Sequence, residues 1–344
     1  MKKRQLYPSL SIIIPTLNSS TILKACLNSI KSQNYPPALI QLIIADGGST
    51  DSTLKIATDH GAQIVQNPLK TAEAGKAAGM SQATNNLIAF IDSDNILPTR
   101  NWLKIMVSPF TDPEIIGSEP DKFTYRKQAG YIERYSALIG ANDPYAFITG
   151  LSDRRNHINN RWTGLKLETA KFKNYLKITL HPFVQIPTIG ANGTIFRRSF
   201  LTKHLLGDYL FDIDIVSTVL SDTKRPLFFA KVDIGIIHTY CENSLSKFIR
   251  KQNRRLTDYY TYLPHRTYNW NTGLSRFRTI YFCLYSLLIF PSLIDSVRGY
   301  FRRPDPAWFF HLPATLISFV TYALITLKYM FKSVTPIDRS QWNQ

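Results

Sequence analysis

Residues 87–95 constrain the fold of this chain more than any other stretch. Residues 87–91 form an uninterrupted apolar run, and Asp92, Ser93 and Asp94 follow it at once. A short apolar run bounded in this way is typical of a central parallel strand that is buried on both faces. Ligands of open parallel sheets bind in the crevice at the carboxyl ends of such strands. We therefore expect both carboxylates at a ligand site.

The pair Asp92 and Asp94 suits a hard divalent cation. Carboxylates two positions apart in a strand project to the same face, and a curled strand end lets both reach one ion. Mg²⁺ or Mn²⁺ prefers oxygen ligands and commonly shares them with substrate phosphates. The alternative is that residues 92–95 are a polar turn that only closes the strand.

Predicted strands and helices alternate through about the first hundred residues. Apolar runs predict strands at residues 10–14, 42–46, 63–65 and 87–91. Helical spacing of apolar and small residues predicts helices at residues 22–30, 54–60 and 72–83. This alternation predicts an α/β fold with a doubly wound, mostly parallel sheet and helices on both faces.

Asp46 also stands at the carboxyl end of a predicted strand. A carboxylate there can accept hydrogen bonds from a ribose hydroxyl or a base N–H. The glycines that follow, Gly47 and Gly48, leave a second interpretation open. In that interpretation Asp46 is a turn residue that bonds its own backbone.

Three segments in order carry a resemblance to a known family. They are Ser-Ile-Ile-Ile-Pro-Thr-Leu-Asn at residues 11–18, Asp-Gly-Gly-Ser-Thr-Asp at 46–51, and Asp-Ser-Asp at 92–94. Together they resemble the nucleotide-sugar half of family 2 glycosyltransferases, which have the GT-A fold and invert the anomeric centre. The resemblance implies a nucleotide-diphosphate sugar donor of the UDP or GDP type and a Mg²⁺ or Mn²⁺ cofactor.

The resemblance also assigns residues. It implies that the nucleotide-sugar is bound by Pro15, Thr16, Asn18, Asp46, Lys76, Asp92 and Ser93, and the metal by Asp92 and Asp94. The chain departs from the family pattern at three places. Ser19 replaces a common acidic residue, Gly47 replaces the second of two paired aspartates, and Lys76-Ala77 replaces an Arg-Asn pair. Lys76 still offers a positive charge to a diphosphate, but without the bidentate fork of arginine.

The second half contains the residues expected on the acceptor side. By the resemblance, the segment with Gly190, Asn192 and Gly193 precedes a helix that carries the catalytic base. The family usually has Glu-Asp here; Phe211 is a departure, Asp212 matches the base, and Asp214 is the next candidate. The alternative is that both aspartates only cap a helix at residues 215–220.

Gln252 and Arg255 resemble the Gln-x-x-Arg-Trp motif of membrane polysaccharide synthases, with Leu256 in place of the tryptophan. We expect Asn192, Gln252 and Arg255 to contact the acceptor or the diphosphate. A solvated basic helix is the alternative.

The C-terminal part changes character at about residue 266. Residues 280–297 and 307–331 are largely apolar, and arginines stand between them at positions 298, 302 and 303. Two full membrane spans would carry those arginines across the bilayer, against the positive-inside rule. Either a hairpin dips into one leaflet, or the first segment lies flat and the second spans. Two buried helices of a soluble domain are the alternative.

The net charge limits the class of partner. The chain has 41 Lys and Arg against 24 Asp and Glu, a formal net charge of +17. Such an excess suits nucleic acid, an acidic membrane surface or phosphorylated substrates. The scattered Cys26, Cys241 and Cys283 fit a reducing compartment. We expect a membrane-associated protein with its catalytic domain on the cytoplasmic side, and no nucleic-acid partner.

These observations predict a metal-dependent glycosyltransferase acting on a polyprenyl-phosphate or other lipid-linked acceptor. We expect a nucleotide-sugar half at residues 1–110, an acceptor half at 111–265 and a membrane-associated helical region at 266–344. A sugar nucleotidyltransferase is one rival, but it needs a glycine-rich loop after the first strand, and residues 16–19 contain no glycine. A non-catalytic basic protein is the other, and it leaves the carboxylates at the strand ends unexplained.

Overall fold

The computed structural model describes residues 7–190, 192–204, 209–210, 212–263 and 273–331. In these ranges the strands are β1 (Leu10–Thr16), β2 (Ile40–Asp46), β3 (Gln63–Gln66), β4 (Leu87–Phe90), β5 (Asn95–Ile96), β6 (Ile115–Phe123), β7 (Glu168–Lys171), β8 (Tyr175–Leu180), β9 (Thr194–Arg197) and β10 (Leu227–His238). The helices are α1 (Ser20–Lys31), α2 (Thr53–Asp59), α3 (Ala72–Gln82), α4 (Trp102–Val107), α5 (Tyr131–Ile139), α6 (Pro144–Ile148), α7 (Arg198–His204), α8 (Asp212–Thr223), α9 (Leu245–Tyr262), α10 (Gly273–Leu288), α11 (Phe290–Arg302) and α12 (His311–Phe331).

The strands form one mixed sheet in the order β3-β2-β1-β4-β9-β6-β10-β8-β7, with β5 paired to β10. The four N-terminal strands are parallel to one another, and β6 is parallel to β10. The predicted doubly wound α/β sheet is confirmed, and each predicted strand and helix of the first hundred or so residues is present. Parallel pairing brings the carboxyl ends of β1, β2 and β4 to the same edge, where the polar loops lie.

Alternate residues of β1 enter different cores on the two faces of the sheet. Ile12 and Ile14 pack with Leu23 and Leu27 of α1, whereas Ile13 packs with Met80 of α3. All six are buried, as the period-2 alternation of a strand between two helical layers requires. Burial on both faces therefore fixes the register of β1, and with it the position of the loop that follows.

Close packing of α3 on β1 depends on a glycine. A Cβ on Gly79 would lie 2.4 Å from Cγ2 of the buried Ile13, a distance that real Cβ contacts do not reach. Gly79 thus lets the helix backbone approach the strand. This approach sets the position of Lys76, one turn earlier on the same helix.

Three buried charges connect β6, β10 and the loop before β7. Glu119 of β6 accepts hydrogen bonds from Lys231 of β10 at 2.7 Å and from Arg154 at 2.8 Å. All three side chains are almost completely buried. A buried carboxylate needs such partners, since removing either cation would leave an uncompensated charge. The cluster holds the loop that carries Asp153 and Arg154 against the sheet.

The C-terminal helices differ from the two simple apolar segments that the sequence predicts. The first segment breaks at Ile289, where α10 and α11 meet at 84°. Ile289 has a φ of 60°, and Pro291 then occupies the first turn of α11. A 3₁₀ turn at Pro306–Phe310 leads into α12. By length and composition, one helix of the described residues, 306–331, could cross a membrane, whereas α10 and α11 reach that length only as a bent pair.

Candidate functional site

A cleft of about 820 Å³ opens at the carboxyl edge of the sheet. It brings together sequence-predicted residues from five separate segments: Pro15, Thr16, Lys76, Asp92, Ser93, Asp94, Asn192 and Arg255. Other predicted residues do not line it: Asn18, Asp46, Asp214 and Gln252. Residues predicted for the donor side and for the acceptor side thus line the same cavity, although some residues of each set do not line it.

Asp46 is engaged in the turn that follows β2. Its carboxylate accepts hydrogen bonds from the Thr16 hydroxyl at 2.8 Å and from the backbone N–H groups of Gly48 and Ser49 at 2.9 and 2.7 Å. The Ser49 hydroxyl donates a further bond at 2.5 Å. The side chain is buried. The bonds from Gly48 and Ser49 are those of the turn interpretation, whereas the bond from Thr16 joins the ends of β1 and β2. The contact of Asp46 with a nucleoside stays a prediction.

Asn18 joins the loops after β1 and β2. Its side-chain oxygen accepts a bond from the Thr50 backbone N–H at 2.8 Å, and its own N–H donates to the Ser49 hydroxyl at 2.8 Å. Its φ of 47° lies in the left-handed region, which asparagine tolerates better than most residues. Asn18 and Asp46 thus shape the loops from which Pro15 and Thr16 face the cleft.

Asp94 lies between His238 and Lys251 in the cleft. Its Oδ2 is 3.2 Å from Nε2 of His238 and 3.2 Å from Nζ of Lys251. Burial alone would raise the pKa of this carboxyl, but the charges of His238 and Lys251 outweigh it and hold the pKa well below its ordinary value. Asp94 is therefore negatively charged. Its carboxylate already contacts His238 and Lys251, which are distant from it in the sequence.

The contact of Asp94 with His238 follows from strand pairing. β5 lies antiparallel to the end of β10, with Asn95 opposite His238. The backbone N–H of Thr239 also donates to the carbonyl of Asp94 at 3.0 Å. The end of β10 is thereby fixed against the Asp-Ser-Asp turn.

Both ring nitrogens of His238 face oxygen atoms. Nε2 faces Asp94, and Nδ1 lies 3.2 Å from the side-chain oxygen of Asn142. A neutral imidazole has one N–H to donate, so it can satisfy one of these contacts. The other nitrogen then faces its oxygen neighbour with a lone pair. This environment is typical of a metal-binding histidine whose second nitrogen is held by an oxygen acceptor.

Asn95 holds the turn next to Asp92 and Ser93. Its side-chain oxygen accepts a bond from the Asp92 backbone N–H at 3.0 Å, and its amide group donates to Asn192 at 2.9 Å. Asn95 is completely buried. It therefore connects the Asp-Ser-Asp turn to the loop of Asn192, on the opposite wall of the cleft.

The acceptor side contains an acid to which the sequence analysis gave no role. Asp153 lines the cleft beside Arg154. Burial raises the pKa of Asp153 to about 6, although the positive charge of Arg154 opposes the shift. A carboxylate with such a pKa can exchange a proton near neutral pH.

The two acids of α8 differ in what the structure describes. α8 begins at Asp212 and continues past the predicted end of the helix to Thr223. The side chain of Asp212 lies outside the described part of the chain, so its assignment as the base stays a prediction. Asp214 is buried and absent from the cleft lining.

Gln252 supports α9 from within the protein. Its amide group donates to the Asn142 carbonyl and to the Tyr240 hydroxyl, each at 3.2 Å. Its oxygen accepts bonds from Arg255 at 2.6 Å and Tyr322 at 3.0 Å. Gln252 thus orients Arg255, which does line the cleft.

The sequence analysis gave no role to five residues that the structure brings to this site: His238, Lys251, Asn142, Asn95 and Asp153. For His238 a signal existed, since it ends a long apolar strand just as Asp92 follows one. The pairing of β5 with β10, which brings it to Asp94, has no local signature.

Comparisons with known proteins agree with this geometry. A family model described as "Glycosyl transferase family 2" matches residues 11–205, more than half of the chain. A glycosyltransferase named AglE from Haloferax volcanii is 30% identical over 139 residues, which cover 38% of this chain and 45% of that protein. A PGL/p-HBAD biosynthesis glycosyltransferase from Mycobacterium bovis is 30% identical over 167 residues, covering 48% and 55%. The chain thus spans about half the length of these curated relatives.

One solved structure has a similar fold over nearly the whole chain. A mannosyltransferase from Pyrobaculum calidifontis, in complex with GDP-Man and Mn²⁺, superposes with a TM-score of 0.51. The match covers 94% of this chain and 88% of that one at 12% sequence identity. At that identity the similarity concerns the fold alone, which is of the GT-A type.

The hydrogen bonds of Asp46 generate a stability prediction. Asp46→Asn keeps the size but puts an amide N–H₂ among hydrogen-bond donors, so we expect unfolding free energy to fall by about 2–3 kcal/mol. Asp222→Asn, at an exposed position near the end of α8, is the control and should change it by less than about 1 kcal/mol. Denaturant unfolding of both variants tests this. An Asp46→Asn variant of unchanged stability that fails to bind nucleotide would instead make Asp46 a direct nucleoside ligand.

Proposed function

Because the chain belongs to glycosyl transferase family 2, we propose that it transfers a sugar from a nucleotide-diphosphate donor to an acceptor at the membrane. The observation that carries this proposal is the contact of Asp94 with His238 and Lys251 at the carboxyl edge of the sheet. It puts an anionic oxygen and an imidazole nitrogen beside a lysine, next to loops of the nucleotide-binding type. Such a set suits a metal-bound diphosphate.

The residues present fit a divalent cation. Asp94 offers an oxygen ligand and His238 a nitrogen ligand, and the 3.2 Å between those atoms is close to the separation of adjacent ligands around a Mn²⁺-sized ion. Asn142 bonds the other ring nitrogen and so orients His238. Asp92 lines the same cleft and would assist, directly or through water. A bound Mg²⁺ or Mn²⁺ would supply positive charge to the leaving diphosphate.

The other roles follow from the positions of the side chains. Pro15 and Thr16 form the nucleoside wall, with Asn18 and Asp46 holding their loop, and Ser93 lies between the two acids. Lys76 lines the cleft from α3 and adds charge for the diphosphate. The acceptor half, residues 111–265, carries Asn192 and Arg255 on the opposite wall.

An inverting displacement needs one base on the acceptor hydroxyl. We assign this role to Asp212, at the start of α8, with Asp214 as the next candidate. Ile213, between them, lines the cleft. Asp153 is a further acid within the cleft, and its raised pKa of about 6 suits a base.

The sugar nucleotidyltransferase is less well supported. In a nucleotidyltransferase reaction the acceptor attacks a phosphorus atom of the donor. Such an enzyme needs a glycine-rich phosphate-binding loop after β1. Here the loop after β1 is closed by Asn18 against Ser49 and Thr50. We therefore favour transfer of the donor's sugar, a reaction in which the nucleoside diphosphate leaves intact.

The metal assignment can be tested at Asp94. Asp94→Asn retains the shape but removes the charge that a hard cation needs, so we expect Mn²⁺-dependent binding of UDP or GDP to weaken by more than ~10-fold. Asp258→Asn, in the same cleft but on the far part of α9, is the control and should bind normally. Isothermal titration with and without Mn²⁺ measures both. Unchanged metal-dependent binding in Asp94→Asn would refute the assignment.

Asp212→Asn separates chemistry from donor binding. A general base contributes roughly 10²–10⁴-fold to turnover, so transfer should fall by that factor while nucleotide affinity stays near normal. Transfer of labelled sugar into a membrane extract gives the rate, with Asp214→Asn and Asp153→Asn measured in parallel. Near-normal transfer by Asp212→Asn would move the base to whichever of the other acids is then required.

The C-terminal helices support a membrane surface. They bury polar side chains against the protein: Ser286, Ser292, Ser296, His311, Thr315 and Ser318. They expose large apolar ones: Phe277, Leu287, Phe290, Phe301, Leu324 and Phe331. This distribution is the reverse of that in a water-exposed helical surface, and it is what a lipid environment favours. The exposed Arg276, Arg298 and Arg302 suit the headgroups of an anionic bilayer.

The same helices contact the catalytic domain along their length. Asp305 accepts bonds from Tyr125 and Arg134, and Arg303 stacks on the Tyr125 ring at 3.7 Å. At the start of α12, His311 bonds the Tyr135 hydroxyl at 2.7 Å. The connection between the apolar helices therefore lies beside the catalytic domain, so we propose that these helices lie in one leaflet.

Cysteine labelling can test this arrangement. In a Cys283→Ser background, we expect single cysteines at residues 298–306 to react with an impermeant reagent from the catalytic side of sealed vesicles. Lys24→Cys, on exposed α1, marks that side. A chain truncated after about residue 270 should lose most membrane attachment. Labelling from the opposite side would establish two spans, and a full-length protein that does not sediment with vesicles would end the membrane proposal.

A further inference from the structure

One carboxylate of the acceptor half faces the cleft from a wall of buried charges. The loop between α6 and β7 carries Asp153 and Arg154, and both line the cleft. The side chain of Asp153 is 16% exposed, whereas the cations beneath it, Arg154 and Lys231, are at most 1% exposed. Asp153 is therefore the charged group that this wall presents to a ligand.

The buried charges fix the direction of the Asp153 carboxylate. Arg154 donates hydrogen bonds from one nitrogen to Oδ2 of Asp153 and, at 2.8 Å, to Glu119. Lys231 donates to the backbone carbonyl of Asp153 and, at 2.7 Å, to Glu119. The loop is thus held both at its backbone and at one side-chain oxygen. The carboxylate cannot turn away from the cleft without breaking a buried ion pair, which is costly.

The other oxygen of Asp153 is available to a ligand. Within the part of the chain that the structure describes, Oδ1 accepts no hydrogen bond from another residue. An ionised carboxylate oxygen can accept two hydrogen bonds, and charge-assisted bonds of this kind are the stronger ones. Arg154 and Lys231 are already bonded to Glu119 and are not exposed to an anion. This wall therefore suits a neutral ligand that carries hydroxyl groups.

Asp153 lies close to the proposed diphosphate site. The Phe123 ring separates the two places, because its centroid is 5.6 Å from the Arg154 guanidinium and 5.5 Å from the His238 ring. His238 is the proposed nitrogen ligand of the cation on the diphosphate. The donor's sugar is attached to that diphosphate and has to lie between it and the acceptor half. A sugar ring, which is about as wide as one aromatic ring, would bring its hydroxyl groups to Asp153.

Neutral hydrogen-bonding groups lie beside this carboxylate. Thr188 donates from its backbone N–H and its hydroxyl to the Leu151 carbonyl, at 3.2 and 3.1 Å, and so packs on the loop of Asp153. Asn192 accepts a bond from Asn95, which holds the Asp-Ser-Asp turn. Thr188 and Asn192 line the cleft together with Asp153. A few hydroxyl and amide groups around one charged residue are typical of a site that orients a small polar ligand.

We infer that Asp153 binds a pair of hydroxyl groups of the donor's sugar and selects a neutral sugar over a uronate. This inference rests on the proposed function and adds the class of sugar that the enzyme takes. A uronate would bring a second carboxylate against Asp153 where the buried cations are already engaged, and juxtaposed like charges oppose binding. A sugar-binding role also differs from that of a base, because it acts on donor affinity.

The test measures donor and nucleotide binding by Asp153→Asn. Four donors form two pairs that differ only in oxidation at C6: UDP-glucose with UDP-glucuronate, and GDP-mannose with GDP-mannuronate. Each donor, and UDP and GDP alone, is titrated calorimetrically into the full-length protein in detergent with Mn²⁺. We expect the tighter-binding neutral donor to lose about 10- to 100-fold in affinity, since hydrogen bonds to a charged group are lost. The affinities for UDP and GDP should stay within about twofold.

The uronate donors give an independent measurement. The unmodified protein should bind the uronate of the preferred pair at least ~10-fold more weakly than the neutral donor, because of like-charge repulsion. In Asp153→Asn this difference should shrink, since the repulsion is removed together with the bonds to the neutral sugar. A general loss of structure would weaken all donors and nucleotides alike and would leave the difference unchanged.

Two further variants serve as controls. Asp258→Asn removes a carboxylate from another part of the cleft and should bind every probe as the unmodified protein does. Asp153→Glu retains the charge but moves it by one methylene group, so it should still discriminate against the uronate while binding the neutral donor more weakly. Thermal unfolding of each variant, together with normal UDP or GDP binding, checks that the fold is intact.

Each outcome either supports or overturns the inference. Unchanged affinity for both neutral donors in Asp153→Asn would overturn it, as would a loss confined to turnover or to the KM of the acceptor. An equal loss of donor and nucleotide affinity would also contradict it, because the carboxylate would then support the nucleotide site. Failure of the proposed function would appear separately, as absent Mn²⁺-dependent binding of nucleotides and donors by the unmodified protein.

Discussion

The contact of Asp94 with His238 and Lys251 is the interaction on which the site depends. It joins the loop after β4, the end of β10 and the middle of α9, which are far apart in the sequence. A different physical cause places each of the three segments. Parallel strand pairing places the end of β4, antiparallel pairing with β5 places the end of β10, and burial of one helix face places α9. Together with the bond between Asn95 and Asn192, this contact joins the two halves of the cleft.

The N-terminal half of the fold could be predicted because its signals are local. β1 to β4 are short apolar runs, and α1 and α3 show helical spacing between polar loops. Asp92 and Asp94 follow a strand directly, so their place at the sheet edge follows from parallel topology alone. His238 could not be assigned in the same way, because its contact depends on the register of two strands that are far apart in the chain, with Asn95 of β5 opposite His238 of β10.

Two other features required the structure for physical reasons. The sequence leaves the role of Asp46 open, since a carboxylate before two glycines suits a ligand as well as a turn. The structure adds four hydrogen bonds to its carboxylate, from Thr16, Gly48 and Ser49, and a contact with a nucleoside stays a prediction. The apolar length of residues 280–297 does not reveal the bend at Ile289. After the bend, α11 leads to Arg303 and Asp305, which contact Tyr125 and Arg134, so the apolar length alone did not reveal the path of this segment.

Pulsed electron paramagnetic resonance of bound Mn²⁺ tests the central claim most directly. With UDP or GDP present, we predict a nitrogen hyperfine coupling from a directly bound imidazole in the unmodified protein. The coupling should disappear in His238→Gln, and it should persist in Asp258→Asn, whose acid lies elsewhere in the cleft. Tightly bound Mn²⁺ with no nitrogen coupling in the unmodified protein would contradict the assignment of Asp94 and His238 as the metal-binding pair.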